Sequence, residues 1–331
     1  MKKKTIIIAE IGVNHNGNII LAKKLIDKAK LAKVDYVKFQ SFIASEITTK
    51  KTNLANYQKK NANQQTQYEL LKNLELSFEK QNLLFEYCKK KKIKYLSTPF
   101  DLKSLNFLKK KLPIIKISST DLGNLPFLKA VGKIKKKIIL STGMSSNKEI
   151  DLSIKELLKA GMNKKNITLL YCHSAYPTNF LDLNLNSIVF LKYFFNLNVG
   201  FSDHTIGIEA SVAAVALGAT VIEKHFTLDK KMTGPDHSSS LNFEELKQLV
   251  DSIRNIEKSL GPYEKKISKI EMQNKSVVKK SIVAFQNIKK NDSFSEKNLT
   301  TKRSKKGISP LNWYKVLGTK SKKNYSKDEE I

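Results

Sequence analysis

Arginine, cysteine and long apolar runs are scarce in this chain, and each shortage closes off a class of protein. Only Arg254 and Arg303 stand among the 60 basic residues. Reading bases in nucleic acid leans on bidentate arginine, so the net charge of +30 is read as a lysine-biased solvated surface, with no specific nucleic-acid partner. Its by-product is a positive field that attracts anionic substrates. Two cysteines, Cys88 and Cys172, with no CxxC spacing, fit a reducing compartment and buried small side chains better than a disulfide framework. No stretch approaches the roughly 18 apolar residues of a membrane span. The opening Met1-Lys2-Lys3-Lys4 is followed by an apolar run that soon meets Glu10, with no small-residue cleavage site after it. A soluble, cytoplasmic protein with no membrane partner is the expectation. Glycine-rich phosphate loops are missing too: residues 12–17 read GVNHNG, not the GxGxxG that opens a dinucleotide-binding sheet.

What is present is alternation. Apolar strand-like runs at 5–12, 36–42, 95–100, 114–119, 137–143, 167–174, 199–205 and 220–227 are separated by amphipathic stretches such as 20–32, 77–91, 148–160, 208–217 and 243–260. Strands alternating with helices predict a (β/α)8 TIM barrel over 1–260. Residues 45–73, rich in Lys, Asn, Gln and Thr, interrupt the pattern and read as a functional lid or mobile segment. Gly261-Pro262 marks a break. A polar linker is expected over 261–275 and a small β-rich domain over 276–331, with strand-like runs at 281–285 and 313–317 and turns at 290–292 and Gly307.

The polar residues collect at the ends of the predicted strands: Glu10, Lys38 and Gln40, Ser97 and Thr98, Lys116 to Asp121, Ser141 and Thr142, His173 and Ser174, Ser202 to His204, and Glu223 to His225. In a parallel barrel these ends converge on one mouth, where active sites form. Lys38/Gln40 and Glu223/His225 are spaced i, i+2, so each pair shares a face. All five histidines, His15, His173, His204, His225 and His237, fall at strand ends or in the loops after them, and none on a helix. His204 and His225, with Asp203 and Glu223 beside them, suit a borderline divalent ion with open positions. Two protein ligands are too few for structural zinc. Lys38 and Lys116, with hydroxyls from Thr98, Ser118, Ser119, Ser141 and Thr142, make a basic, donor-rich basin for a phosphate and a carboxylate. Cys172 has no assembled base and is not read as a nucleophile.

These motifs resemble the sialic acid (nonulosonic acid) synthases, of the N-acetylneuraminate/legionaminate type. The resemblance runs in order through AEIGVNHNG (9–17), VKFQ (37–40), STPFD (97–101), KISS (116–119), LSTGM (140–144), SAYPT (174–178), GFSDHTIG (200–207), EKHF (223–226) and GPDH (234–237). Lys302-Arg303 and GISP (307–310) resemble that family's C-terminal antifreeze-like (SAF) domain.

The resemblance implies condensation of phosphoenolpyruvate with an N-acylated amino-sugar aldehyde, N-acetylmannosamine or 2,4-diacetamido-2,4,6-trideoxymannose. Phosphate is released and a sialic or legionaminic-type acid is formed. It implies His204 and His225 as ligands of Mn²⁺, with Mg²⁺ or Co²⁺ as substitutes. Lys38, Thr98, Lys116, Ser119 and Ser174 then hold phosphoenolpyruvate, and Glu10, Gln40, Tyr176 and Asp236 surround the sugar. Glu223 lies near the metal and its water, and Glu10, Glu223, Lys38 and Lys116 form the catalytic set. Arg303 is implied to reach the sugar's N-acyl group from the partner subunit of a domain-swapped homodimer. Asp121 stands where the family often has Glu, and Ser174 where some members have Asn. The competing readings are another phosphoenolpyruvate-condensing synthase, such as a pseudaminic acid synthase, and a non-catalytic basic binder of nucleic acid or glycans. A synthase acting on a sugar phosphate would need a second phosphate site, for which there is no arginine cluster. GPDH followed by Ser238-Ser239-Ser240 leans towards the neuraminic/legionaminic branch.

Overall fold

The computed structural model describes residues 4–54, 64–304 and 306–331. It divides into two compact units, 1–260 and 261–331. In the first, eight parallel strands run in the order β3-β2-β1-β8-β7-β6-β5-β4. They are β1 (Ile6–Gly12), β2 (Tyr36–Ser41), β3 (Lys94–Pro99), β4 (Ile114–Ile117), β5 (Lys137–Ser141), β6 (Ile167–Cys172), β7 (Asn198–Asp203) and β8 (Val221–His225). β3 and β4 also lie side by side, so the sheet curls round into a (β/α)8 barrel. All eight strands lie within two residues of the sequence reading, because a run buried on both faces leaves little else for the pattern to mean.

Helices follow each strand: α1 (Ile19–Leu31), α2 (Ala44–Ile47), α3 (Gln67–Leu74), α4 (Phe78–Lys91), α5 (Leu102–Leu108), α6 (Leu125–Ile134), α7 (Asn147–Lys159), α8 (Asn186–Phe195), α9 (Glu209–Ala216) and α10 (Phe243–Ser259). Local chemistry starts them. Ser146 and Glu149 form a capping box on α7, as do Asn242 and Glu245 on α10, each cap contributing about 1 kcal/mol. The helices bury one stripe against the outer face of the strands. Leu25 and Ile26 of α1 pack there with Ile7, Ala9, Val37 and Phe39, and a side chain of that size contributes roughly 2 kcal/mol when fully buried.

Inside the barrel the floor is apolar. Ile8, Leu96, Ile139, Leu170 and Val221 form a separate cluster. Two residues further along the same strands stand Glu10, Thr98, Ser141, Cys172 and Glu223. Because side chains repeat on one face every second residue, each floor residue is followed by a polar one in the layer above. The site is that second layer.

The interruption after β2 carries structure of its own on both flanks. Residues 55–63 lie outside the described residues. On either side of them Leu54, Leu70 and Leu74 pack on Val13 and Phe42, so the segment carries more apolar anchoring than its composition suggests. In the second unit, β9 (Lys280–Ala284) pairs antiparallel with β10 (Leu299–Arg303) over a small core of Ile282, Ala284, Ile288, Phe294, Leu299 and Val316. Two expectations are corrected here. Residues 313–317 are not a strand: a short helix, α12 (Trp313–Val316), follows a 3-10 turn capped by Ser309. Within the expected linker 261–275, the Ser268/Glu271 capping box starts α11 (Lys269–Val278), whose side chains are largely exposed; polarity concealed a solvated helix.

Candidate active site

Four charges meet above the apolar floor. Lys38 of β2 lies 2.6 Å from Glu10 of β1 and 3.6 Å from Glu223 of β8, and Lys116 of β4 lies 3.7 Å from Glu223. All four are almost completely buried. Burial of a lone charge costs several kcal/mol, so each is tolerable only through the others. Lys38 also donates to Thr98 Oγ1 (3.1 Å), Lys116 to Ser141 Oγ (2.7 Å), Ser202 to Glu223 Oε1 (3.0 Å) and Gln40 Nε2 to Glu10 Oε1 (3.4 Å). Gly12, in the left-handed region at φ +54°, keeps this corner open: a Cβ there would lie 2.9 Å from Glu10 Oε1.

The environment splits the two carboxyls. Burial opposes ionisation of Glu223, but Lys116 and Lys38 outweigh it and hold its pKa down to about 2. Glu10 goes the other way, raised by burial and by Glu223 against the pull of Lys38. The lysines split as well. Lys38 is raised, because Glu10 and Glu223 overcome its burial, whereas burial lowers Lys116.

Beside this ring stand two imidazoles. His204 and His225 have ring centroids 5.7 Å apart, and Tyr176 packs on His204 at 4.2 Å. Burial lowers both histidine pKa values, with His204 adding to the effect on His225, so both rings are neutral near pH 7. His204 Nδ1 lies 2.7 Å from the carbonyl of His173. A carbonyl only accepts, so Nδ1 carries the proton and Nε2 keeps its lone pair. Among the described residues His225 Nδ1 is buried without a hydrogen bond, 3.7 Å from Asp236 Oδ2. Burial and nearby Glu10 raise Asp236 to about 7. Two neutral imidazoles, one oriented by a backbone acceptor and one with an orphaned ring nitrogen, fit a divalent cation. Among the described residues no three His, Cys, Asp or Glu side chains converge into a cage, so the pair would leave positions open, as catalysis requires.

A third corner is made of small polar groups. Ser119 Oγ accepts from Gly143 N (3.0 Å) and lies 3.2 Å from Cys172 Sγ. A Cβ on Gly143 would overlap Ser174 Oγ and come within 2.9 Å of Ser119 Oγ, so these side chains crowd one point. Burial raises the Cys172 thiol, against its use as a thiolate.

Several residues read as part of the mouth are elsewhere. Asp203 does not stand beside the imidazoles: it points outward, pairs with Lys224 at 2.8 Å and accepts from Thr205 and Ser211. Ser97 also faces outward, to Ser41 and the Phe39 carbonyl. Ser118 caps a 3-10 turn, and Thr142 donates to the Leu170 carbonyl; both hydroxyls serve the backbone. Asp121 is buried, with one oxygen bonded to Asn124 and its pKa raised by burial to about 6. His237 opens a short 3-10 turn. The expectation for Arg303 concerns a partner subunit's site; in this chain it ends β10 of the second unit and is exposed. Sequence reasoning gave no role to Ser202, whose hydroxyl braces Glu223, or to Asn14, which donates to the Phe226 carbonyl (3.0 Å) and Ser240 (2.9 Å). Asn14 thereby ties the loop after β1 to the loop that carries Asp236. The partners lie over two hundred residues away, so no local signal could name them.

Comparison with known proteins agrees with this geometry. The sequence profile of the NeuB family matches residues 25–265. The N,N'-diacetyllegionaminic acid synthase of Campylobacter jejuni is 51% identical over 331 residues, 99% of each chain. That of Legionella pneumophila is 41% identical over 324 residues, 97% of this chain and 91% of that one. A crystal structure of N-acetylneuraminic acid synthetase from Leptospira borgpetersenii, in complex with citrate, superposes with TM-score 0.72 at 35% identity, over 82% of this chain and 90% of that one.

Proposed function

The chain belongs to the NeuB family, and from that premise we propose that it condenses phosphoenolpyruvate with 2,4-diacetamido-2,4,6-trideoxymannose, releasing phosphate and forming a legionaminic-type acid. The choice of sugar rests on the identity with the two legionaminic acid synthases; N-acetylmannosamine is the nearest competitor. The single observation that carries the reaction is the buried ring of Glu10, Lys38, Glu223 and Lys116 set against two neutral imidazoles. It offers paired cations to a phosphate and a carboxylate in a dry mouth.

On this reading Lys38 and Lys116, with Thr98, Ser119 and Ser174, hold phosphoenolpyruvate. Glu10, Gln40, Tyr176 and Asp236 orient the open-chain sugar. His204 and His225 would hold Mn²⁺, which when bound supplies Lewis acidity at the aldehyde oxygen. The methylene carbon of phosphoenolpyruvate forms a bond to the aldehyde carbon. The former enol carbon becomes electron-poor beside ionised Glu223, which steadies that charge and takes the proton of the water that adds there. Once the anionic phosphoenolpyruvate occupies the lysines, Glu10 keeps a proton and delivers it to the former aldehyde oxygen as the new hydroxyl forms; the proton that Glu223 takes from the water replaces it. The C–O bond to phosphate then breaks to give the 2-keto acid.

The second unit we assign as a SAF domain, in a domain-swapped homodimer whose Arg303 serves the sugar site of the partner subunit. Among the described residues no helix is long and apolar enough to cross a membrane. Because phosphoenolpyruvate is a cytosolic metabolite, the cytoplasm is the proposed place of action. The test is phosphate release from phosphoenolpyruvate with each amino-sugar in turn, with and without Mn²⁺. Release is expected to be fastest with the 2,4-diacetamido sugar and to need the metal; no release with any of the sugars would overturn the reading.

A further inference from the structure

Lys224 and Asp203 form an ion pair almost wholly removed from solvent, and the reaction just described gives it no task. Strand alternation sends Ser202 of β7 and His204 just after it, and Glu223 and His225 of β8, into the barrel; Asp203 and Lys224 face out beneath α9. They are also the last paired residues of the β7–β8 ladder, so His204 and His225 stand just beyond the point where backbone pairing fixes the spacing of the two strands.

The pair supplies what the ladder no longer does. Lys224 Nζ lies 2.8 Å from Asp203 Oδ2 and donates to the Thr205 carbonyl at 2.7 Å. Asp203 Oδ1 accepts from Thr205 N and Thr205 Oγ1, both at 2.8 Å. Ser211 Oγ anchors Asp203 Oδ2 to α9 at 2.6 Å. Both residues flanking His204 are therefore tied to the ammonium that immediately precedes His225. Stability does not require this arrangement, since neutral residues of similar volume commonly match or exceed a buried ion pair. A pair that stability does not require needs another reason to sit there.

We propose that Asp203 and Lys224 are positioning residues that fix the separation of His204 and His225 from the outer face of the barrel, and so set the affinity of the imidazole pair for a divalent cation. This rests on the metal reading above. The test is Asp203→Asn/Lys224→Met in the full-length protein. It leaves no unpaired charge and keeps an acceptor for Thr205 N and a donor for Ser211. Free Mn²⁺ is measured by its electron paramagnetic resonance signal, and the melting temperature of the metal-free protein is recorded alongside. The expected result is Mn²⁺ binding weakened about 10- to 100-fold, the range seen when groups that orient ligands are lost, with metal-free melting within a few degrees of wild type. At saturating Mn²⁺ the KM for phosphoenolpyruvate should be unchanged, while the Mn²⁺ needed for half-maximal turnover rises. Affinity within threefold of wild type overturns the proposal. Ser211→Ala separates positioning from general destabilisation: it removes one hydrogen bond but leaves the bridge, and should bind Mn²⁺ as wild type does. If it weakens binding as much as the double variant, the proposal also falls. Should His225→Ala bind Mn²⁺ like wild type, the metal reading itself fails, and this inference with it, whatever the double variant does.

Discussion

Replacing Glu223 by Gln keeps the shape of the site and removes one charge from its balance. With Glu10 and Glu223 ionised, the two lysines are matched; without Glu223 the buried ring carries a surplus positive charge. Lys38 retains Glu10 at 2.6 Å, but Lys116 loses its only carboxylate within 4 Å among the described residues. Held at about 2 against 4.5 for a free glutamate, the ionised form of Glu223 is favoured by about 3 kcal/mol, at about 1.4 kcal/mol per pH unit. The folded pKa lies below the unfolded one, so this stability is present in full above pH 4.5 and drains away as the pH falls towards 2. At pH 7 Glu223→Gln should therefore lose about 3 kcal/mol, a fall in melting temperature of about 4–5 °C for a chain of this size. The measurement belongs in excess chelator, so that no metal contributes. Phosphoenolpyruvate supplies the missing negative charge, so its stabilising effect should be larger on the variant than on wild type, while turnover collapses. A metal-free melting temperature equal to or above wild type would refute the reasoning. It would mean that the four charges are a strained arrangement kept for activity, not a mutually stabilising ring.

His204→Ala and His225→Ala should each abolish turnover and Mn²⁺ binding while leaving the far-ultraviolet circular dichroism spectrum intact; full metal occupancy in either would remove the ligand assignment. His15, buried so that its pKa falls to about 4, is neutral in the fold and charges in the unfolded chain below about pH 6.5, so stability is full above that pH and lost as the pH falls towards 4. That loss amounts to about 3 kcal/mol, and His15→Gln should flatten the decline in urea midpoint over this window; an unchanged slope would contradict it. Arg303→Lys should weaken use of the sugar and spare phosphoenolpyruvate and Mn²⁺ affinity, and mixing Arg303→Ala with His204→Ala subunits should restore some activity. A dead mixture with proven heterodimers would rule out action across subunits. Duplex DNA should bind weakly, with steep salt dependence and no sequence preference; selective binding at physiological salt would overturn the surface reading of the lysines.

The barrel was legible because its strands combine two signals, a fully buried apolar run and an abrupt polar end. Val221-Ile222 giving way to Glu223-Lys224-His225 marks both the strand and its mouth. The site was legible to the resolution of a strand end and no finer. Asp203 and His204 are sequence neighbours at one such end, and on an extended strand neighbours face opposite ways. Alternation alone could have sent Asp203 outward once His204 was placed inside. Ser118 and Thr142 were misread for a different reason. A hydroxyl at a strand end serves a ligand or the backbone equally well, and only the three-dimensional partner decides. The second unit was hardest, because a run as short as 313–317 fits strand and helix alike, and its small core leaves little pattern to read.

The charge balance of the mouth also explains why so basic a protein needs so specific a site. A surface with a net charge of +30 raises the local concentration of any anion and does not discriminate among them. The buried ring does discriminate, because it is self-neutral when empty. Lys38 is committed to Glu10, and Lys116 is shared between Glu223 and Ser141. An anion gains only if its own oxygens replace these partners with better geometry at both lysines together. A single phosphate or carboxylate can satisfy one lysine and leaves the other in its existing pair. A molecule carrying both groups on one carbon frame satisfies the two at once, and the desolvation of both lysines has already been met in folding. The outer field therefore serves the rate of encounter, and the paired interior serves selection. Adding salt should slow association steeply while leaving the preference for phosphoenolpyruvate over inorganic phosphate almost unchanged.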